Sequence, residues 1–406
     1  MSKFKKPIAI ILSVLLVVVG AVSAYAAVFV DVSAPEHAHV SFNEEGKLKI
    51  LQIADIQDDA AFPAVARALL KTSVEKIAPD LILLTGDNIA GYACRTKLLA
   101  RSAIKQYMDI FESLGIPVAM VFGNHDDDDT PYTKAEQIEQ YMTYSCFVGC
   151  AGVEATKTVG NNTTTNLGTY NIPVFASKDS DEIIYNIWCI DSGNYNPDDS
   201  VGGYGYVLPE QLEWYVEKSN ELKEINGGEP MPSIAFQHIV PPQIFDALTE
   251  VEAGAEGAVQ YGGKYYMLPE NVDRNTNWLS ETPCPPNYGF AEGFNEVNTM
   301  LEQGDVKAIF FGHDHINSYV VPYQGMDLVS SPGFTFQSYN DAHRGVRVIT
   351  IDKNDLSTYA TETYTANEVL EDDSYGSFLL GIRNFFDNIK MFFVNLWYSI
   401  KGVFSK

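Results

Sequence analysis

Residues 118–126, VAMVFGNHD, join a short apolar run to a cluster of polar side chains. An apolar run of this length with β-branched residues is typical of a buried strand. Asn124, His125 and Asp126 therefore come directly after the strand ends. The same arrangement occurs at four other places: Asp55 and Gln57 follow the run 48–54, Asp87 and Asn88 follow 81–85, His238 follows 233–237, and His313 and His315 follow 306–311.

Apolar runs and amphipathic stretches alternate along most of the chain. The runs predict strands at 48–54, 81–85, 118–122, 183–190, 233–236, 306–311 and 346–351, and helical spacing predicts helices at 63–77, 95–114, 135–144 and 209–222. This alternation predicts an α/β layered core. Residues 150–180, rich in Thr, Asn and Gly, and residues 252–288, rich in Gly, Tyr and Pro, fit neither pattern. We expect both to be irregular insertions that serve as binding loops or lids.

The side chains in the five clusters share one chemistry. Active sites of open α/β sheets lie beyond the carboxyl ends of the strands, so the clusters can meet in one crevice. Carboxylate, carboxamide and imidazole groups suit borderline-to-hard divalent or trivalent metal ions, and two such ions can clamp both oxygens of a phosphoryl displacement. Glycines before Asp87, Asn124 and His313 permit close backbone approach. One such cluster alone is commonly a turn or a helix cap. Five of them behind five strands indicate a metal site.

The charge balance restricts the partners of the protein. Lys and Arg number 27 against 53 Asp and Glu, which gives a net charge of -26. This excludes the basic footprint of a nucleic-acid-binding surface. An anionic substrate then needs a local positive centre, and bound metal ions provide one. The five cysteines form no CxxC pair, and their spacing leaves open whether Cys146 and Cys150 form a disulfide.

Both termini predict contact with a membrane. Lys3, Lys5 and Lys6 precede an apolar run over residues 7–30, which indicates export. The run fits either a cleaved signal peptide or a retained anchor. Apolar residues recur at helical spacing over 378–404, with lysines among the polar positions. This pattern fits an amphipathic helix in a membrane interface or a helix docked on the catalytic core. We expect an exported, extracytoplasmic protein, secreted or membrane-associated.

The ordered motifs resemble those of the calcineurin-like metallophosphoesterase superfamily. The order is Asp-x-x, Gly-Asp-Asn, Gly-Asn-His-Asp, a strand followed by His, and Gly-His-x-His. Further motifs, at residues 190–193, 203–206, 211–214, 304–307 and 344–347, resemble the branch of small plant purple acid phosphatases and the yeast phosphatase Dcr2. The likeness covers roughly residues 47–352.

The resemblance implies a four-layer α/β/β/α sandwich and a role for each cluster. Asp87 would bridge two divalent or mixed-valence ions, drawn from Mn, Fe, Zn and Mg. Asp55 and His315 would hold the first ion, and Asn124, His238 and His313 the second. His125 would act as general acid or transition-state stabiliser, oriented by Asp126, and a metal-bound hydroxide would be the nucleophile.

The sequence departs from the family at two places. Gln57 stands where the family commonly has His, so we expect a weaker or differently selective first site, with Gln57 as a ligand through its amide oxygen. Ala90 stands where purple acid phosphatases have Tyr, which argues against iron-tyrosinate chemistry.

The sequence indicates a metallophosphoesterase that acts on phosphate monoesters or diesters of a small molecule or a lipid headgroup. A catalytically weak binding protein is the alternative from another class. An envelope nucleotidase or phospholipid-headgroup hydrolase is a further one, since an aromatic loop with Tyr261, Tyr265, Tyr266 and Trp278 would suit a base or a lipid. The predicted organisation is a targeting segment at 1–30, a catalytic domain at 31–366, and an amphipathic C-terminal helix at 367–406.

Overall fold

Fifteen strands and seven α-helices lie in the part of the chain that the computed structural model describes, residues 39–287 and 295–371. The strands are β1 (Lys47–Ile53), β2 (Leu81–Thr85), β3 (Val118–Val121), β4 (Val153–Val159), β5 (Asn162–Phe175), β6 (Ile183–Cys189), β7 (Ser233–Phe236), β8 (Thr249–Val251), β9 (Val259–Tyr261), β10 (Lys264–Met267), β11 (Val306–Phe311), β12 (Tyr319–Tyr323), β13 (Met326–Ser330), β14 (Gly345–Asp352) and β15 (Asp355–Thr365). The helices are α1 (Ala64–Ile77), α2 (Lys97–Leu114), α3 (Lys134–Tyr141), α4 (Pro209–Ile225), α5 (Ile244–Ala247), α6 (Glu296–Gln303) and α7 (Ala366–Leu370).

Two large sheets carry most of these strands. The first has the order β15-β14-β1-β2-β3, with β1, β2 and β3 parallel and β14 and β15 antiparallel. The second has the order β12-β13-β11-β7-β6-β5-β4, with a parallel centre from β13 to β6. In both sheets the parallel strands aim their carboxyl ends at one edge. A third, small sheet has the order β8-β10-β9.

Side chains on each strand alternate between the layer that separates the two sheets and a layer beneath the helices. Leu48 and Ile50 of β1 belong to a buried cluster that also contains Phe236 and Phe310 from the second sheet. The next pair on β1, Leu51 and Ile53, faces a cluster formed with α1, α2 and α3, and the outer face of the second sheet packs on α4 and α6. Burying one such side chain contributes about 1.5–3 kcal/mol. The result is the predicted four-layer α/β/β/α sandwich, in which both sheets are covered on both faces.

Local signals fix the ends of several helices. The Thr96 hydroxyl accepts a hydrogen bond from the Leu99 N–H at the start of α2, and Thr133 and Glu136 form a capping box on α3. Gly115 ends α2 in the left-handed conformation, at φ 67°. The predicted helices at 95–114 and 135–144 therefore exist, and no bound differs by more than three residues.

The expectation of an irregular insertion at 150–180 is wrong. Strands β4 and β5 form a hairpin there, joined by Gly160 and Asn161, with Gly160 at φ 60°. Threonine is β-branched and favours strands, and the Thr hydroxyls pair across the hairpin. A two-residue Gly-Asn connection between two Thr-rich runs is itself a hairpin signal that we missed. The segment 252–288 was also expected to be irregular, and this is wrong where β9 and β10 form strands. The rest of 252–287 has no regular secondary structure.

The predicted segments at both ends of the chain lie outside the described residues. This applies to the targeting segment at 1–30 and to most of the C-terminal helix at 367–406, of which only the short α7 falls inside. The domain boundaries at 30 and 366 stay predictions. Within residues 39–287 and 295–371, no helix has the length and apolar character needed to cross a membrane. All five cysteines are free thiols, so Cys146 and Cys150 are not joined.

Candidate metal centre

The predicted ligands lie at the carboxyl ends of neighbouring strands. Asp55, Asp87 and Asn124 lie within three residues of the ends of β1, β2 and β3, which are adjacent and parallel. His238 and His313 follow β7 and β11, an adjacent parallel pair in the second sheet. The packing of the two sheets therefore brings together residues as far apart in the chain as Asp55 and His315, 260 positions.

The imidazole of His238 lies at the centre of one donor group. Its Nε2 lies 3.3 Å from Asp87 Oδ2, 3.2 Å from Asn124 Oδ1 and 3.3 Å from His313 Nδ1. Ligand atoms bound at about 2.0–2.1 Å to one ion lie roughly 3.0–3.4 Å from each other. The spacing of these four donors therefore fits a single metal ion.

A second group forms around Asp55. Its Oδ1 lies 3.5 Å from His315 Nε2, and its two oxygens each accept a hydrogen bond of 3.2 Å from the His313 N–H. Donor atoms of Asp55, Asp87 and His238 all lie within 4.8 Å of one another. The two groups are thus contiguous.

Backbone carbonyl groups fix the orientation of two of the histidines. His238 Nδ1 lies 2.9 Å from the Thr85 carbonyl oxygen, and His315 Nδ1 lies 2.8 Å from that of Tyr339. A carbonyl oxygen only accepts, so each Nδ1 carries a proton, and in the neutral imidazole each Nε2 presents its lone pair to the site. Such partners hold metal-binding histidines in the ligating tautomer. Sequence reasoning did not find these carbonyls, because a backbone contact leaves no signal in residue type.

The electrostatics of the site favour a cation. Burial raises the pKa of the Asp55 carboxyl to about 8. For His238 burial opposes protonation, but the carboxylates of Asp87 and Asp55 outweigh it and raise the pKa to about 10. Burial lowers the pKa of His315 to about 4, which leaves that imidazole neutral. Protons on Asp55 and His238 therefore offset the negative charge of the buried carboxylates, and bound metal ions would replace these protons.

Gln57 carries an unsatisfied acceptor. Its side-chain Oε1 is buried and has no hydrogen-bond donor, while its backbone N–H donates to the Asp87 carbonyl oxygen at 2.7 Å. A buried polar atom without a partner costs about 1–3 kcal/mol. A cation beside the side chain would remove that cost, and an amide oxygen is a suitable donor to it. The Gln57 amide oxygen is therefore a donor that is available to a cation.

The loop after β3 orients His125 through Asp128. His125 Nδ1 lies 3.0 Å from Asp128 Oδ2, and the backbone N–H of His125 donates to Asp87 Oδ1 at 2.7 Å. Asp126, predicted to orient His125, instead accepts hydrogen bonds from the backbone N–H groups of Gly123 and Ile89. Asp126 stabilises the turn, because its buried carboxylate accepts these backbone hydrogen bonds rather than contacting the imidazole. The contact with the imidazole is made by Asp128, three residues after His125 in the same loop.

Two glycines allow the strand ends to approach. A Cβ atom on Gly86 would lie 2.5 Å from His238 Nδ1, and one on Gly123 would lie 2.3 Å from Asp87 Oδ1. Any side chain at these positions would displace a candidate ligand. The prediction that these glycines serve close approach is confirmed.

Tyrosines surround the candidate centre. Tyr204 makes an edge contact with His313 at 4.2 Å between ring centroids, and Tyr339 stacks on His315 at 4.3 Å. Tyr92 contacts His125 edge-on, and the Tyr195 hydroxyl lies 3.4 Å from Asn124 Nδ2. Tyr195 and Tyr339 are exposed. These four rings form an aromatic rim that sequence reasoning missed, although the Gly-Tyr-Gly-Tyr motif contains Tyr204.

Three of the four aromatic residues that were expected to meet a base or a lipid pack against the protein. Tyr261 stacks on Phe245 at 3.9 Å, and Tyr266 is buried. Trp278 stacks on His343 at 4.5 Å. The rings of Tyr261, Tyr266 and Trp278 therefore contact internal partners.

Comparison with known proteins agrees with the motifs and the fold. The model of the calcineurin-like phosphoesterase family matches residues 48–317. The chain belongs to this family. The match begins in β1 and ends just after His315, so it covers all the candidate metal ligands of the chain.

The curated relatives are plant and yeast proteins. Probable inactive purple acid phosphatase 29 of Arabidopsis thaliana is 24% identical over 342 residues, which is 77% of this chain and 79% of the relative. Probable inactive purple acid phosphatase 14 of the same plant is 27% identical over 76% of both chains. Phosphatase DCR2 of Saccharomyces cerevisiae is 26% identical over 68% of this chain and 45% of its own length. The chain is therefore similar to the branch that its motifs indicated.

Proposed function

We propose that the protein hydrolyses phosphate monoesters or diesters at a two-metal centre. The observation that carries the proposal is the donor group around His238 Nε2, in which carboxylate, carboxamide and imidazole atoms lie 3.2–3.3 Å away. Membership of the calcineurin-like phosphoesterase family supports phosphoester hydrolysis as the reaction class.

The proposed ligand sets follow the two donor groups. Asp55, Gln57 and His315 hold one ion, Asn124, His238 and His313 hold the other, and Asp87 lies between them. When bound, the ions would polarise the phosphate ester and activate a water molecule for attack. The mixed oxygen and nitrogen donors suit Mn, Fe, Zn or Mg.

His125 is the proposed general acid. Its side chain is partly exposed at the edge of the centre, and the Asp128 carboxylate engages Nδ1. This leaves Nε2 to carry a proton to the leaving-group oxygen. The hydrogen bond from the His125 N–H to Asp87 ties the acid to the proposed bridging carboxylate.

A binding protein without catalysis is the second candidate. The names of two plant relatives contain the word inactive, and Gln57 replaces an imidazole in the first ligand group. Against it, His125 and the six remaining donors are all present and meet in space. These residues favour hydrolysis.

The two candidates separate on metal content and turnover of the purified protein. We expect two metal ions per chain and hydrolysis of p-nitrophenyl phosphate or bis-p-nitrophenyl phosphate. Asp87→Asn should abolish activity and lower metal content while the circular dichroism spectrum is unchanged, because the residue lies at the sheet edge. Asp352→Asn, which alters a surface ion pair with Lys47, is the control and should retain activity. Stoichiometric metal without hydrolysis of any ester would favour the binder, and full activity in Asp87→Asn would remove Asp87 from the mechanism.

The location and substrate class belong to the same proposal. The basic start and apolar run of residues 1–30 support an exported protein. The amphipathic pattern of 367–406 supports contact with a membrane surface. A phosphorylated small molecule or a lipid headgroup is the proposed substrate, and the aromatic rim would contact its organic part.

A further inference from the structure

Tyr195 lies between a proposed metal ligand and the partner of the proposed general acid. Its hydroxyl oxygen lies 3.4 Å from Asn124 Nδ2 and 3.4 Å from Asp128 Oδ2. Asp128 Oδ2 is also the atom that lies 3.0 Å from His125 Nδ1. A single hydroxyl therefore contacts both the ligand set of one ion and the carboxylate beside the general acid.

The neighbours of this hydroxyl decide the direction of each hydrogen bond. An ionised carboxylate only accepts, so the Tyr195 hydroxyl donates its proton to Asp128. The hydroxyl oxygen then accepts a hydrogen bond from the amide nitrogen of Asn124. His125 Nδ1 donates to the same oxygen atom of Asp128. The four side chains thus form one chain of hydrogen bonds.

The contact decides which atom of the Asn124 amide can reach a metal ion. Only the amide oxygen is a suitable ligand, and it lies 3.2 Å from His238 Nε2, inside the donor group. A flipped amide would place that oxygen against the Tyr195 hydroxyl, whose proton already goes to Asp128. Asn124 is 1% exposed, so little water reaches the amide nitrogen. Tyr195 therefore favours the orientation in which Asn124 can bind metal.

The loop between β6 and α4, residues 190–208, holds Tyr195 in this place. Backbone hydrogen bonds of 2.9 and 3.0 Å flank the residue and join it to Tyr204 in a short antiparallel bridge. The two rings stack at 6.1 Å between centroids. Asn194 Nδ2 donates to Asp127 Oδ1 at 3.2 Å, which ties this loop to the loop after β3. The fold therefore sets the position of the hydroxyl.

We propose that Tyr195 is a positioning residue, whose hydroxyl holds the Asn124 amide in its ligating orientation and the Asp128 carboxylate beside His125. This role rests on the proposed two-metal function. The two contacts of 3.4 Å are at the long end of hydrogen bonds. The effects of removing the hydroxyl should therefore be smaller than those of removing a ligand.

Metal titration of the metal-free protein tests the role toward Asn124. Tyr195→Phe removes the hydroxyl and keeps the ring, and Mn²⁺ alone is the probe in calorimetry. We expect one of two ions to bind about tenfold less tightly and the other to bind as in wild type, because Asn124 belongs to one ligand group.

Tyr144→Phe is the matched control for the titration. It also removes a tyrosine hydroxyl that faces a carboxylate, that of Asp109 at 3.2 Å, and neither residue belongs to the proposed centre. This variant should bind both ions as wild type does. Equal affinities in wild type and Tyr195→Phe would overturn the proposal, and so would an equal loss in Tyr144→Phe.

A double substitution tests the role toward Asp128 at saturating Mn²⁺. Tyr195→Phe should lower kcat for an alkyl phosphate about three- to fivefold and leave KM unchanged, since the ring is kept. In a chain that already carries Asp128→Asn, the same change should lower kcat less than about twofold, because the hydroxyl acts through that carboxylate. Losses that multiply in the double variant would contradict this role. A raised KM with unchanged kcat would instead make Tyr195 a substrate-binding residue.

Failure of the proposed function would give a different pattern. A wild type that binds two ions but hydrolyses no ester would remove the proposed reaction, and the titration would still decide the role of Tyr195 toward Asn124. A wild type that binds no metal would overturn both proposals.

Discussion

Replacing Asp128 with Asn should slow the hydrolysis of esters that have a poor leaving group. Asp128 Oδ2 lies 3.0 Å from His125 Nδ1, and the side chains of the two residues are 27% and 28% exposed. The substitution keeps the shape of the side chain and removes the charge that holds the imidazole in its orientation. His125 keeps its place through the hydrogen bond from its N–H to Asp87.

The size of the effect follows from this partial exposure. A hydrogen bond to a charged group contributes about 1.5–3 kcal/mol. Water reaches a quarter of both side chains and screens part of that interaction, so about 1–1.5 kcal/mol remains. A loss of about 1.4 kcal/mol in the transition state lowers kcat about tenfold. KM should change little, because the pair does not belong to either proposed ligand group.

The assay compares two leaving groups on the metal-loaded enzyme. An alkyl phosphate needs a proton on its leaving oxygen, whereas p-nitrophenolate leaves without one. We therefore expect kcat to fall about tenfold for the alkyl ester and less than threefold for p-nitrophenyl phosphate. Asp129→Asn is the matched control, since Asp129 lies in the same loop and pairs with Arg95 at the surface. Equal losses for the two esters would refute the positioning role, and so would an unchanged kcat for both.

Three further substitutions or deletions test the remaining features. Gly86→Ala should lower the free energy of unfolding, measured in urea, by about 2–4 kcal/mol, because the added Cβ would overlap the His238 ring. Gly304→Ala is the control: Gly304 has a similar positive φ, 74° against 85°, but open space around it, so its loss should be about 1 kcal/mol. Gln57→His should tighten metal binding at the first site, measured by titration of the metal-free protein, and unchanged affinity would remove residue 57 from the ligand set. Deleting residues 372–406 should release the protein from membranes in a fractionation experiment if residues 1–30 are cleaved. Unfolding of the truncated enzyme would support the docked-helix alternative.

Strand positions were predictable because burial on both faces leaves a strong local signal. The runs 81–85, 233–236 and 306–311 coincide with β2, β7 and β11 to the residue. Each consists mainly of apolar residues, as expected for parallel strands covered by helices on one side and by a second sheet on the other. The polar clusters could then be placed at the strand ends, and the clusters of Asp55, Asp87 and His238 do meet.

Contacts between side chains from distant loops were not predictable in the same way. Asp126 and Asp128 are both acidic residues near His125 in the sequence, and only the turn conformation decides which of them faces the imidazole. The hairpin of β4 and β5 was missed for another reason. Its residues are largely polar, so the apolar pattern that marks a buried strand is weak there, and β-branched Thr carried the signal alone.

Backbone strain at the candidate centre links the fold to metal binding. Asp55, Gln57, Asp87 and His313 all have positive φ, at 54°, 40°, 49° and 73°. A residue with a side chain pays about 1–2 kcal/mol for that conformation, and such strain persists only where the surroundings enforce it. These four residues are proposed ligands on three different loops, and their carboxylates and imidazole are buried together. Strain and buried charge therefore act against the fold at the same positions. Metal ions that bind these side chains would offset both, so the residues that weaken the metal-free chain are the ones that stabilise the loaded one.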